Sequence, residues 1–275
     1  MLKKLLKYDF KSVFKYWWIA AVICFTLAIA GGLSIHALMR APETSDAITL
    51  LSILGLLLVI LGFSAFILLS GILVFVRFYK NFFTDEGYLT FTLPVSRLQL
   101  LNSKLITSVS TLFLTGTVCT INILTMFGIA LHEIIFTEEF WNACAEFFIS
   151  MQKELGLYTV VYIIEILALI ILSMIFSSLF LFSCITFASI ITKKAKVLVA
   201  IGIYYVASSV FSFMMQTFVL LGLPSLIAWT ENMSEYAAYP LITVFLLGII
   251  FFLAVFCAIL YILQYWMIDR KLNLN

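Results

Sequence analysis

Hydrophobic residues in this chain come in long blocks rather than in alternation. Six apolar stretches stand out, at residues 17–38, 49–76, 102–131, 158–191, 197–223 and 239–266. Each exceeds the ~20 residues that a helix needs to cross a bilayer. The longer ones must tilt, kink or project into water. The pattern predicts an all-α, polytopic membrane protein: one transmembrane domain over 1–275 with six transmembrane helices. Ahead of the first span, residues 1–16 read as an amphipathic inner-surface helix. Leu2, Leu5, Leu6, Phe10 and Phe14 fall near one face, with lysines around the other. Such a helix lies in the headgroup layer and is drawn to anionic lipid. Trp17 and Trp18 suggest an interfacial anchor where it meets the first span. That span is not expected to be a signal peptide, because its apolar run is too long and no A-x-A-like site follows it.

Composition agrees with this reading and charge orients it. The chain is 64% hydrophobic and 11% charged, whereas a soluble domain carries about 25% charged residues. Net charge is only +2, yet fourteen of the sixteen Lys and Arg fall on one side of the predicted membrane. They are Lys3, Lys4, Lys7, Lys11, Lys15, Arg77, Lys80, Arg97, Lys104, Lys193, Lys194, Lys196, Arg270 and Lys271; the other side has Arg40 and Lys153. The positive-inside rule then places both termini in the cytoplasm. Nine of the fourteen acidic residues fall in the three outer loops, which agrees. The largest of these loops, His132 to Gly156, mixes Phe136, Phe140, Trp141, Phe147 and Phe148 with acids. An amphipathic helix on the outer surface fits best, and a lid over a transport path is the alternative. The loop Pro224 to Tyr239 is shorter, with Trp229, Tyr236 and Tyr239 at interface depth.

The sequence lacks the common catalytic motifs. No GxxxxGK[ST], HExxH or GxSxG occurs, so neither a nucleotide cradle nor a hydrolase centre is expected in this chain. The five cysteines form no CxxC, and suggest neither a disulfide framework nor a zinc site. The only histidines, His36 and His132, lie near outer span ends and make no obvious metal or general-base site. No catalytic residue, metal or cofactor is assigned, and an intramembrane enzyme is disfavoured. Glu165 is the one ionisable residue well inside a span, about 10 Å deep if the span enters near Tyr158. A charge there is costly and usually faces protein or water. It reads as a polar patch on a substrate path, as a protonated Glu bonded to a neighbouring helix, or as a side chain snorkelling outward. Ser103, Thr107, Thr111 and Thr115 form a hydroxyl stripe at i, i+4 spacing. Close helix packing is its ordinary role, and a polar lining for substrate is the alternative.

One polar segment remains, "RFYKNFFTDEGYLTFTLPVSR", from Arg77 to Arg97 between spans 2 and 3. Pro94 gives a break and Ser96 an N-cap, and Leu98, Leu101 and Leu105 start a helix that runs into span 3. The aromatics before it, mixed with charges, suit a protein interface. The stretch "RFYKNFFTDEGYLTFTLPVSRLQLLNSK" resembles the inner loop of bacterial, Firmicutes-like type-2 ABC transporter permeases. The resemblance is strong over these 28 residues and looser over the six-span layout and the C-terminal "KLNL". It implies the membrane subunit of an ABC exporter in the bacterial cell membrane. A second permease chain, identical or related, would pair with it. Separate ATPase subunits would bind ATP and magnesium. It also implies a short coupling helix between spans 2 and 3 that docks on the ATPase. Arg77, Tyr79, Lys80, Asp85, Glu86, Gly87, Tyr88 and Arg97 would serve that contact. The substrate implied by the apolar spans is amphipathic: a peptide, an antimicrobial or a lipid. A non-transporting, ABC-linked protein for sensing or resisting cationic antimicrobial peptides is the alternative. Membrane lipid is an expected partner and nucleic acid is not. Many such permeases carry a hydrophobic re-entrant hairpin between spans 5 and 6, whereas Pro224–Tyr239 here is short and acidic.

Overall fold

A backbone surrounded by hydrocarbon must satisfy its own N–H and C=O groups, and a helix does so within one segment. The long apolar runs fold accordingly. A computed structural model describes residues 2–40, 46–84, 87, 95–192, 195–230 and 235–270. Among these it contains helices and no strand. They are α1 (Leu2–Met39), α2 (Asp46–Phe83), α3 (Arg97–Ala130), α4 (His132–Ile135), α5 (Glu138–Leu155), α6 (Tyr158–Ile191), α7 (Lys196–Thr230) and α8 (Glu235–Arg270). Six of them, α1, α2, α3, α6, α7 and α8, are long and apolar enough to cross a membrane, as a multi-pass membrane protein requires.

The helices overrun the apolar stretches at several ends, because polar flanking residues continue the same hydrogen-bond ladder. Residues 2–16 are thus no separate surface helix: they run without a break into the first span. The expected loop from Pro224 to Tyr239 is largely helical as well. α7 continues through Pro224 to Thr230, and α8 begins at Glu235 with Pro240 inside it. Proline is tolerated within membrane helices where the surrounding protein re-satisfies the freed carbonyl. Segment 132–156 holds an amphipathic helix, α5, in which no residue is buried.

The chain divides into two compact units. The first comprises residues 1–78 and 106–148, hence α1, most of α2 and most of α3. Its core is built on Val13, Trp17, Ala21 and Cys24 of α1 with Phe66 of α2, and Leu114, Val118 and Cys119 of α3 pack against them. Trp17 is 2% exposed, so it is a core residue rather than the interfacial anchor expected beside Trp18, which is exposed. Its indole Nε1 donates to Thr115 Oγ1 at 2.9 Å, which satisfies the one polar atom that would otherwise prefer the interface. Near its other end α1 approaches α3 closely. A Cβ at Gly32 would lie 2.8 Å from the carbonyl oxygen of Met126. A small residue is therefore required where the backbones meet.

The second unit comprises residues 79–105 and 149–275, and in it α6 packs against both α7 and α8. A ladder of aromatic rings joins these three helices. Phe176 and Phe211 stack at 4.5 Å between centroids, and Phe252 and Phe256 lie 4.6 Å apart. Rings stacked at this spacing contribute beyond their buried area.

Candidate functional site

The segment expected to meet a partner begins as the last turns of α2. Tyr79 is half-buried and its ring stacks on Phe83, 6.0 Å between centroids. Lys80 is exposed, and its carbonyl accepts the Thr84 hydroxyl at 2.6 Å. Phe78 and Phe82 are fully buried, so this end of α2 is fixed by packing on one face. Gly87 is buried, and its N–H closes a turn onto the Thr84 carbonyl at 2.7 Å. Among the described residues the only glycine with positive φ is Gly156. Gly87 therefore does not need the left-handed region. It needs space, since a Cβ would sit 2.9 Å from the Phe82 carbonyl oxygen. Asp85, Glu86 and Tyr88 lie outside the described residues, as do 89–94, where a coupling helix was expected. Beyond them Ser96 caps α3 as anticipated: its Oγ accepts the Gln99 N–H at 3.3 Å.

The two arginines that bound the segment are both engaged within the chain. At the end of α2, Arg77 Nε reaches Asp9 Oδ1 of α1 at 3.3 Å, with the Asp9 side chain 3% exposed. At the start of α3, Arg97 Nη1 donates to Asp269 of α8, to Oδ1 at 2.7 Å and to the backbone carbonyl at 2.5 Å. Polar links continue along the same end of α8. Tyr261 donates to Asn102 Oδ1 at 2.7 Å, and buried Gln264 Nε2 donates to Thr186 Oγ1 of α6 at 2.8 Å. Each pair lies within one compact unit.

The hydroxyl stripe of α3 is buried throughout: Ser103, Thr107, Thr111 and Thr115 are each under 5% exposed. Thr111 and Thr115 donate back to the carbonyls four residues earlier, at 2.7 and 2.8 Å. Satisfied in this way, the side chains present methyl groups for packing, and Thr115 has an oxygen lone pair left for Trp17. Glu165 on α6 is 4% exposed and so does not snorkel outward. Its Oε2 has no hydrogen-bond partner among the described residues.

His36, His132 and Glu133 come together at the far end of α1. The imidazole rings lie 5.0 Å apart, and both Nε2 atoms face Glu133 Oε1, at 3.8 Å from His36 and 4.0 Å from His132. In the sequence these two histidines stand 96 positions apart (132 − 36), and no local spacing links them. Asp9 and Asp269 were missed as well, although Asp9 carried a signal: it is the only acid among five lysines in the first sixteen residues.

Comparison with known proteins finds no matching protein family, no matching curated protein and no matching solved structure.

Proposed function

We propose that the chain is the permease subunit of a bacterial ABC exporter, driven by ATP hydrolysis on a separate subunit. The observation that carries this reading is the way the 77–97 segment is fastened. Arg77 ties its first end to α1 through Asp9, and Arg97 ties its last end to α8 through Asp269. The aromatics and charges between them have the composition of a docking surface. Movement of a docked ATPase would be delivered to the first membrane helix through one ion pair and to the last through the other. In this reading Tyr79, Lys80, Asp85, Glu86, Gly87 and Tyr88 meet the ATPase, and Arg77 and Arg97 transmit the movement. Two permease chains complete the assembly. The cargo is amphipathic, and the inward-facing carboxyl of Glu165 supplies the polar point on its path.

Tyr88→Ala tests the docking. Truncating an aromatic anchor at an interface costs ~2 kcal/mol or more, about a thirtyfold loss of affinity. Co-purified ATPase should fall accordingly. Asp85→Asn and Glu86→Gln should act mainly through the salt dependence of the same complex. Normal recovery of ATPase with Tyr88→Ala, at low and high salt, would remove the docking role.

A second reading rests on α5. Trp141, Phe147 and Phe148 are all more than 60% exposed, and Glu138, Glu139 and Glu146 are exposed among them. A helix of this kind suits capture of a cationic amphipathic peptide, as a sensing or resistance protein would need.

A further inference from the structure

We propose that His36, His132 and Glu133 form a binding site for one divalent transition-metal ion of the zinc class. The three candidate ligand atoms all lie within 4.8 Å of one another. Around a tetrahedral ion with bonds of ~2.0–2.1 Å, neighbouring ligand atoms are about 3.4 Å apart. Small rotamer adjustments of exposed or half-buried side chains close that difference. The backbone is already suited to it. His36 stands in the last turns of α1, and His132 and Glu133 open α4 just after α3 ends, so both sides of the site are fixed by helices of one compact unit.

Two further observations point to a ligand. His132 Nδ1 lies 3.1 Å from the Ile129 carbonyl. An N–H must donate there, which leaves the Nε2 lone pair aimed at the cluster, the arrangement common to metal-bound histidines. His36 Nε2 is buried and has no hydrogen-bond partner among the described residues. A buried polar atom so placed calls for an explanation, and a metal ion as its partner is one of the ordinary ones. Two imidazoles with one carboxylate favour zinc, cobalt, nickel or copper over magnesium or calcium. Three protein ligands leave a fourth position for water or another donor.

Arg40 is the competitor. Its guanidinium donates to the same Glu133 Oε1. It is 57% exposed, so it can withdraw into water, and the carboxylate keeps a second oxygen for the ion. Without metal, Arg40 holds the carboxylate between the two rings. The site stands apart from the transporter reading and does not depend on it.

The test uses the full chain purified in detergent without a histidine tag, with Co²⁺ as the probe. One Co²⁺ should bind per chain, with the weak visible bands of nitrogen and oxygen ligation and no intense thiolate band, and Zn²⁺ should displace it. His36→Gln, His132→Gln and Glu133→Gln should each weaken binding about tenfold or more. Arg40→Ala should strengthen it. His132→Cys should keep the ion and add a thiolate charge-transfer band, which reports coordination at that position even if the Gln variants fold poorly. Absence of Co²⁺ binding up to millimolar concentration would overturn the proposal. So would undiminished binding by the His36→Gln/His132→Gln double variant, a thiolate band in the unmodified chain, or no thiolate band with His132→Cys.

Discussion

Arg77→Ala is expected to destabilise the protein by about 3 kcal/mol. The Asp9 carboxylate is almost completely buried, and Arg77 is only 25% exposed. Removing the guanidinium takes from a buried carboxylate its ion-pair partner at 3.3 Å, and losing one partner of a buried pair is the costly way to break it. Two comparisons separate this from a general effect of losing an arginine. Arg97→Ala breaks a pair whose partners are 48% and 43% exposed, so it should cost under ~1 kcal/mol. Adding Asp9→Asn to Arg77→Ala should recover part of the loss, because the second change removes the buried charge. Denaturant titration of the detergent-solubilised chain reads all three. Equal effects of Arg77→Ala and Arg97→Ala would contradict the account of the buried pair.

The second large effect is expected at Glu165, and stability and activity should move in opposite directions. A buried polar atom without a partner costs ~1–3 kcal/mol, and among the described residues Glu165 Oε2 is such an atom. Glu165→Leu should therefore leave the fold as stable or make it more stable by up to that amount. If the carboxyl serves the substrate path, transport should fall sharply with leucine. Glu165→Gln, which keeps the shape and loses the titratable proton, should also lower it. Thermal unfolding alongside a vesicle transport assay gives both quantities. Loss of stability with leucine would show a structural partner for Glu165. Full transport by both variants would remove it from the path.

The helices were legible in the sequence because hydrophobic block length is a local property. The run 158–191 matches α6 end to end, and 102–131 differs from α3 by a few residues. Ser96 was legible as a cap for the same reason, since its partner is three residues away. Helix ends were less so: Asp46 and Arg270 are polar, yet their backbones stay in the ladder. Site chemistry was mostly illegible because the partners are distant. Asp9 and Arg77 are 68 residues apart, and Arg40 and Glu133 are 93 apart. Spacing within a segment carries no information about such pairs. Trp17 was misplaced for a related reason. A tryptophan beside a lysine-rich turn has the composition of an interface anchor, and partners distant in sequence, such as the Thr115 hydroxyl and the Phe66 ring, make it core.

The proposed function requires the segment between the second and third membrane helices to dock an ATPase. Lys80 is the exposed position from which to ask, because its replacement leaves the buried faces of Phe78 and Phe82 untouched. A photoreactive amino acid placed there, and crosslinked in growing cells, should capture a single soluble protein bearing the GxxxxGK[ST] motif, identified by mass spectrometry. The same probe at exposed Trp141 on α5 should not capture it. Crosslinks from position 80 to lipid alone, to other chains lacking that motif, or to nothing would contradict the claim.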